Sequence, residues 1–177
     1  MRKISIGTFL AAALIALPAT AAMAELPLGT NAPRFTTGAA LGGRVFSFDL
    51  ANALRQGPVV LYFFPRAFTQ GCTLEAHAFA EAMPDFTAAG AQVIGLSGDD
   101  IETLTRFSSE ECREAFPVGR ASPAIIRNYD VALGTGEMSK RTSYVIARDG
   151  SITLVHSDMD YRDHVAQTLA AVRALQR

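Results

Sequence analysis

The chain has 177 residues, a formal net charge of −1, 49% hydrophobic residues and 2 cysteines. Its lysines and arginines are scattered, which excludes a broad basic surface for nucleic acid or for an anionic membrane. The cysteines stand 40 residues apart, which excludes both a multi-cysteine zinc site and a C-x-x-C redox centre. We therefore expect the partners to be small molecules or other proteins.

The first 24 residues follow the plan of a secretory signal peptide. Arg2 and Lys3 precede an apolar stretch over 4–17, and Ala22-Met23-Ala24 has the small-residue pattern of a cleavage site. The alternative is an uncleaved membrane anchor, but the apolar stretch is short for a span. Cleavage predicts a periplasmic or secreted protein with no membrane attachment, made of one domain over 25–177 whose formal charge, without the two basic residues, falls from −1 to −3.

Beyond the signal, strand-like and helix-like patterns alternate along the chain. The run 59–64 is continuously apolar between Pro58 and Pro65, which is typical of a strand covered on both faces. Asp149-Gly150 separates two strand-like runs and predicts a hairpin. After an extended segment over 26–36, the predicted order is strands 45–50 and 59–64, helix 73–89, strand 91–97, helix 101–111, strand 116–118, helix 123–129, strands 142–147 and 152–156, and a closing amphipathic helix.

Three local features refine this order. Pro84 is expected to kink or restart its helix, because proline cannot donate the backbone hydrogen bond. Asp99 followed by Glu102 resembles a capping box that opens the next helix. The apolar face of the closing helix is predicted to carry Tyr161, Val165, Leu169 and Val172.

Strands alternating with helices predict an α/β fold. We expect a central, partly parallel sheet covered by helices on both faces, with an antiparallel portion contributed by the hairpin. In such sheets, ligands gather beyond the carboxyl ends of the central strands. Phe64-Pro65 leads the chain from the central strand towards Cys72, so we expect a functional site there.

Cys72 stands at the predicted start of a helix. Unpaired backbone N–H groups and the positive end of the helix dipole favour thiolate over thiol at such a position, and the thiolate is the reactive form. Gly71 lets the backbone approach closely, Thr69 offers a hydroxyl group, and Pro65 can form one wall of a small pocket. The alternative is a structural disulfide to Cys112, which an oxidising compartment would permit.

A second positive charge would stabilise the thiolate and the charge that develops on a leaving oxygen. Arg141, at the start of the strand 142–147, is the best candidate because a guanidinium is permanently charged and presents several donors. From its position alone, an ordinary surface arginine remains the alternative.

These residues form a recognisable motif. The pattern Pro65-x-x-x-Thr69-x-x-Cys72 matches the P-x-x-x-T-x-x-C active-site signature of peroxiredoxins. The segment 71–75, GCTLE, resembles the G-C-T-x-E of the bacterioferritin-comigratory-protein (PrxQ) branch, and 141–146, RTSYVI, is similar to the family's R-x-T/S-F-x-I-D strand. The resemblance covers nearly the whole mature chain.

The resemblance implies a thioredoxin-like fold and a peroxidase that needs no metal, haem or other cofactor. By analogy, Cys72 is the peroxidatic cysteine that becomes a sulfenic acid, Thr69 and Arg141 orient and polarise the peroxide, and Pro65 shields the sulfur. Glu75 matches the family's helix glutamate, which helps to hold the arginine; a solvated first-turn carboxylate is the alternative. The implied partners are hydrogen peroxide or a small organic hydroperoxide and a thioredoxin-like or glutaredoxin-like reductant, with the chain a monomer or a homodimer.

The chain departs from the branch pattern at the resolving cysteine. Many PrxQ proteins have that cysteine five residues after the first, where this chain has His77, which we interpret as a helix-surface histidine. Cys112 lies at the predicted end of the helix 101–111, in a polar stretch that we expect to be flexible. Either Cys112 forms a disulfide with Cys72, or it is a free or intermolecular thiol and an external thiol regenerates a one-cysteine enzyme.

Some residues and functions stay open at this stage. Phe68 either favours bulkier organic peroxides at the pocket rim or packs against a neighbour. His156 and His164 lack companions at metal-ligand spacing, so we expect them at the surface or at a strand end. Besides the peroxidase, the alternatives are a redox-sensing or protein-binding protein that oxidises at Cys72, and a structural Cys72–Cys112 bridge without catalysis.

Overall fold

The structure is a computed structural model that describes residues 25–176, so the predicted signal peptide over 1–24 lies outside the described residues. In chain order the strands and helices are β1 Thr36–Leu41, β2 Arg44–Asp49, α1 Leu50–Gln56, β3 Val59–Phe63, α2 Gln70–Ala88, β4 Gln92–Ser97, α3 Ile101–Glu110, β5 Val118–Arg120, α4 Pro123–Asn128, β6 Ala132–Leu133, β7 Met138–Ser139, β8 Thr142–Ile146, β9 Ile152–Ser157 and α5 His164–Ala174. One 3₁₀ turn, Tyr161–Asp163, leads into α5. Within the described range, none of the helices combines the length and the hydrophobicity needed to cross a membrane.

Seven strands form one mixed sheet in the order β2-β1-β5-β4-β3-β8-β9. β3, β4 and β5 run parallel to one another, whereas β8 pairs antiparallel with both β3 and β9. β1 is antiparallel to both β2 and β5. The partly parallel sheet and the hairpin at Asp149-Gly150 are therefore confirmed.

β3 is buried along its whole length and separates two hydrophobic clusters. Its side chains alternate between them because successive residues of a strand point to opposite faces. One cluster contains Val59, Leu61 and Phe63 with side chains of α1 and α4. The other contains Val60 and Tyr62 with side chains of α2, α3 and α5. This arrangement confirms the predicted central strand, and each fully buried large apolar side chain adds about 1.5–3 kcal/mol of transfer free energy.

The register between β3 and β8 places the site. Phe63, the last residue of β3, pairs with Thr142, the first residue of β8. The chain leaving β3 passes Pro65 and enters α2 at Gln70, while Arg141 immediately precedes β8. Residues that are distant in sequence therefore meet where β3 ends and β8 begins.

Two elements at the amino-terminal end differ from the prediction. β1 pairs with β2 through a turn at Gly42 and Gly43, whose φ angles of +54° and +75° suit glycine. The β1 sequence TTGAAL has weak strand propensity, and its pairing with both β2 and β5 compensates for this. The short α1 was also absent from the prediction; the Asp49 side chain caps it by accepting a hydrogen bond from the Asn52 N–H at 2.7 Å.

Two boundary predictions are corrected. α2 begins at Gln70 and continues without interruption through Pro84, so the predicted restart is wrong. α3 is capped by Asp100, which accepts a hydrogen bond from the Thr103 N–H at 2.7 Å, and not by Asp99. Because Asp100 caps α3, the carboxylate of Asp99 can bind the loop between β3 and α2 instead.

Candidate active site

Cys72 lies in the first turn of α2 and is 2% exposed. Thr69 occupies the N-cap position without a side-chain cap hydrogen bond. The backbone N–H groups of this turn therefore keep their partial positive charge directed at the start of the helix. A sulfur at this position lies where negative charge is favoured.

The guanidinium of Arg141 reaches the cysteine from the start of β8. Its Nη2 donates to Cys72 Sγ at 3.4 Å, its Nη1 donates to Glu75 Oε2, and its Nε donates to the backbone carbonyl of Met159 at 3.0 Å. Arg141 is only 4% exposed, so the alternative of an ordinary surface arginine is wrong. Burial opposes the charge, but the neighbouring Glu75 and Cys72 outweigh it and raise the pKa of Arg141. A fixed positive charge thus lies beside the sulfur.

Glu75 lies beneath the arginine, one helical turn after Cys72. It is fully buried, so a solvated carboxylate is excluded. Burial raises the pKa of Glu75 to about 8, although the charge of Arg141 and its hydrogen bond act in the opposite direction. The second carboxyl oxygen, Oε1, has no hydrogen-bond partner, and His164 Nδ1 lies 3.9 Å from it.

The prediction of a surface or strand-end position for His164 is wrong, because the residue is fully buried. Burial lowers the pKa of His164 to about 4, so the ring is neutral at neutral pH. Its Nε2 lies 2.9 Å from the carbonyl of Asp158 and its Nδ1 lies 2.8 Å from Ser143 Oγ. A carbonyl can only accept, so Nε2 carries the proton and the hydroxyl of Ser143 donates to Nδ1. The ring of His156, a half-buried residue, lies 4.4 Å from that of His164 between centroids.

His164 and Ser143 were missed in the sequence. The signal that could have found His164 is its spacing of four and eight residues from Thr168 and Val172, which places it on the buried face of α5. The buried residues of that helix are His164, Thr168, Leu169 and Val172, so only part of the predicted apolar face is correct.

The remaining signature residues surround the start of α2. Pro65 is half-buried and lies two residues after the end of β3. Thr69 is exposed, and its hydroxyl donates to the carbonyl of Arg66 at 3.0 Å, which leaves the hydroxyl oxygen free to accept. A Cβ on Gly71 would lie 3.3 Å from Arg141 Nη2, so the absence of a side chain there leaves room for the guanidinium.

The loop between β3 and α2 is held by groups outside the signature. The Asp99 carboxylate accepts from the Ala67 N–H at 2.7 Å and from the Ser97 hydroxyl at 2.6 Å. Phe68 has a positive φ of 61°, and its ring packs edge-on against Phe107 of α3 with 5.2 Å between centroids. Of the two roles predicted for Phe68, the structure shows packing against a neighbour.

Cys112 follows the end of α3, as predicted, but its side chain is fully buried in the same cluster as Cys72 and not in a flexible polar setting. Burial raises the pKa of the Cys112 thiol, with a smaller contribution from Glu111. Both cysteines are free thiols. His77 of α2 binds Glu111 at 2.8 Å, so the position of the missing resolving cysteine lies beside the segment that carries Cys112.

The backbone after Cys112 is strained. Arg113 and Glu114 both have positive φ angles, 51° and 58°, which side-chain-bearing residues adopt at a cost. Arg113 also binds Glu81 of α2 at 3.2 Å. Side-chain contacts with two positions of α2, His77 and Glu81, therefore flank this strained segment.

Among residues 25–176, no group of three or more histidine, cysteine, aspartate or glutamate side chains is arranged to hold a metal ion.

The buried, neutral His164 predicts a loss of stability in acid. The pKa of His164 falls from 6.5 to about 4 on folding, so its contribution is fully present above pH 6.5 and is lost as the pH falls towards 4, where only the unfolded chain takes up the proton. The loss for this one group is about 3 kcal/mol of unfolding free energy. Urea unfolding between these pH values should show a flatter pH dependence for His164→Gln than for the parent. His77→Gln, at a half-buried histidine beside Glu111, is the control; equal pH slopes for the parent and His164→Gln would contradict the assignment.

Comparisons with known proteins agree with this architecture. Residues 28–155 match the AhpC/TSA family. The chloroplastic peroxiredoxin Q of Suaeda salsa is 32% identical over 120 residues, which make up 67% of this chain and 56% of that protein. The chain thus spans little more than half the length of that relative.

Solved structures extend the comparison. The crystal structure of peroxidoxin BcpB from Mycobacterium tuberculosis is similar with a TM-score of 0.77 and 28% identity, covering 85% of this chain and 98% of that chain. Peroxiredoxin Q from Xanthomonas campestris gives a TM-score of 0.68 and 26% identity, covering 79% of this chain and 91% of that chain. These similarities confirm the thioredoxin-like peroxiredoxin fold predicted from the sequence, and the chain belongs to the AhpC/TSA family of peroxiredoxins.

Proposed function

We propose that the protein is a thiol peroxidase that reduces peroxides at Cys72. The observation that carries the proposal is the hydrogen bond from the Arg141 guanidinium to Cys72 Sγ at 3.4 Å, in a site almost closed to solvent. Membership of the peroxiredoxin family supports it. A permanent positive charge in contact with a cysteine at a helix start favours the nucleophilic thiolate.

The chemistry follows from the charges that develop. The Cys72 thiolate attacks one peroxide oxygen, an S–O bond forms, the O–O bond breaks, and Cys72 becomes a sulfenic acid. The leaving oxygen carries negative charge, which Arg141 and the amino-terminal end of α2 stabilise. The Thr69 hydroxyl oxygen, whose proton is already donated to Arg66, accepts a hydrogen bond from the peroxide O–H. Pro65 limits the access of water to the sulfur.

The substrate class is hydrogen peroxide and small organic hydroperoxides. A cleft of about 220 Å³ lies beside the active-site loop, lined in part by Pro65, Arg66 and Met138. Cys72, Thr69 and Arg141 do not line this cleft, so the support for the substrate class is membership of the family and not the volume of the cleft.

Regeneration follows one of two routes. In the first, Cys112 attacks the sulfenic acid and water leaves as the Cys72–Cys112 disulfide forms. Cys112 is buried after α3 and is followed by the strained residues Arg113 and Glu114, so we expect this segment to rearrange if the two sulfurs are to meet. In the second route an external thiol reduces Cys72 directly. In both, a thioredoxin-like or glutaredoxin-like protein supplies the electrons, and the enzyme acts as a monomer or a homodimer.

The proposed compartment is the periplasm or the cell exterior, after removal of residues 1–24. The support for this assignment is the signal-peptide pattern in the sequence.

Replacing Arg141 tests the contact between its guanidinium and Cys72 Sγ, on which the proposed function rests. We expect Arg141→Met to slow oxidation of Cys72 by about 10²- to 10³-fold, the usual cost of removing one donor that stabilises a developing oxyanion. Peroxide consumption with excess dithiothreitol measures turnover, and Cys72→Ser should abolish it. A protein that only senses peroxide would be oxidised once without this turnover.

Two variants control the experiment. Arg127→Met removes an exposed arginine of α4 and should leave the rate unchanged. Arg141→Met leaves the buried Glu75 unpaired, so Arg141→Met with Glu75→Gln keeps the site uncharged and should fold while remaining slow. Oxidation at the parent rate in the folded double variant would overturn the role of Arg141.

Mass spectrometry after one equivalent of peroxide separates the two regeneration routes. If Cys112 resolves the sulfenic acid, the parent should lose the mass of two hydrogen atoms as an intramolecular disulfide forms, and Cys112→Ser should accumulate sulfenic acid instead. A persistent sulfenic acid in the parent would exclude the disulfide route and establish the one-cysteine scheme.

A further inference from the structure

The buried cation Arg141 contacts two groups that can each carry a negative charge. Its Nη2 binds Cys72 Sγ at 3.4 Å and its Nη1 binds Glu75 Oε2. The exposed fractions of Glu75, Cys72 and Arg141 are 0%, 2% and 4%. In such surroundings two anions opposite one cation leave a net buried negative charge, which is strongly unfavourable.

No further positive charge among the described neighbours of Glu75 compensates for a second anion. The titratable groups that face it come from α2, β3, the residue before β8, α5 and β9, namely Cys72, Tyr62, Arg141, His164 and, behind His164, His156. Burial keeps His164 neutral by lowering its pKa, and burial raises the pKa of Tyr62 so that the phenol stays protonated. Arg141 is therefore the only fixed charge of this group.

We propose that Cys72 and Glu75 share one negative charge opposite Arg141, so that Glu75 holds a proton while Cys72 is a thiolate and releases it when Cys72 becomes a neutral sulfenic acid. The proposal rests on the peroxidase function proposed above. It makes Glu75 a proton reservoir that acts through Arg141.

The geometry around Glu75 Oε1 favours the protonated state. This oxygen is fully buried and has no hydrogen-bond partner, which is costly for a carboxylate and less so for a carboxylic acid. His164 Nδ1 lies 3.9 Å away, which is beyond hydrogen-bond distance, and it already accepts a hydrogen bond from the Ser143 hydroxyl, so the ring does not satisfy Oε1. Burial raises the pKa of Glu75 and the charge of Arg141 lowers it, so the protonation of Glu75 depends on how far Cys72 already neutralises that charge.

The proton balance gives the proposal its measurable consequence. The thiolate and the peroxide ROOH form Cys72–SOH and the alkoxide RO⁻, which must take up one proton to become ROH. Without a reservoir, that proton comes from the solvent. If Glu75 changes from carboxylic acid to carboxylate in the same turnover, one proton is released for each one consumed, and no net uptake occurs.

Proton uptake during a single turnover tests this balance. Cys112→Ser protein, which stops at the sulfenic acid, is mixed with one equivalent of hydrogen peroxide in weakly buffered solution containing a pH indicator at pH 7. We expect uptake of well under one proton per Cys72 oxidised. Adding Glu75→Gln should raise the uptake to one proton, whereas adding Glu81→Gln, at an exposed position of the same helix, should leave it unchanged.

Infrared difference spectroscopy gives an independent readout that needs no substitution at Glu75. On oxidation, the Cys112→Ser protein should lose the C=O stretch of a buried carboxylic acid and gain a carboxylate band. Uptake of one full proton without any carboxyl signal would overturn the reservoir while leaving the peroxidase function intact. Failure to form sulfenic acid at all, detected by mass spectrometry, would overturn both.

Discussion

A permanent positive charge without solvent around it is the constraint on which this site depends. An unpaired buried charge costs several kcal/mol, so the interior must supply anionic or acceptor groups on every side of the Arg141 guanidinium. The protein supplies Cys72, Glu75 and the carbonyl of Met159. The same contact therefore serves the stability of the fold and the proposed reactivity of Cys72, because one of the groups that neutralise the arginine is the sulfur.

The sheet determines where this charge lies. β8 begins where β3 ends, and both strands are fully buried, so neither can slip in register without moving its apolar side chains out of the two clusters. Behind the arginine, Glu75, Ser143 and His164 link α2, β8 and α5 into one polar layer. The direction of the guanidinium is thus fixed by packing and by hydrogen bonds that never contact substrate.

Prediction from the sequence succeeded where the local residue pattern favours the same conformation that the folded protein adopts. The apolar run of β3, the hairpin at Asp149-Gly150 and the spacing from Pro65 to Cys72 each predicted a correct element or position. β1 could not be predicted because its small residues form a strand only through pairing with β2 and β5. The burial of His164 and Cys112 depends on contacts between segments that are distant in sequence. The residues next to a polar side chain do not show whether it will find a hydrogen-bond partner in the interior.

The central claim is that contact with Arg141 at the start of α2 makes Cys72 an unusually reactive nucleophile towards peroxide. Its most direct test is the second-order rate constant for oxidation of Cys72 by hydrogen peroxide at neutral pH in the Cys112→Ser protein. Because the chain contains no tryptophan, rapid quenching with a sulfenic-acid trap and mass spectrometry suit the measurement. We predict a rate constant about 10²-fold or more above that of free cysteine, since one well-placed donor alone is worth that factor. A rate constant equal to that of free cysteine would contradict the claim.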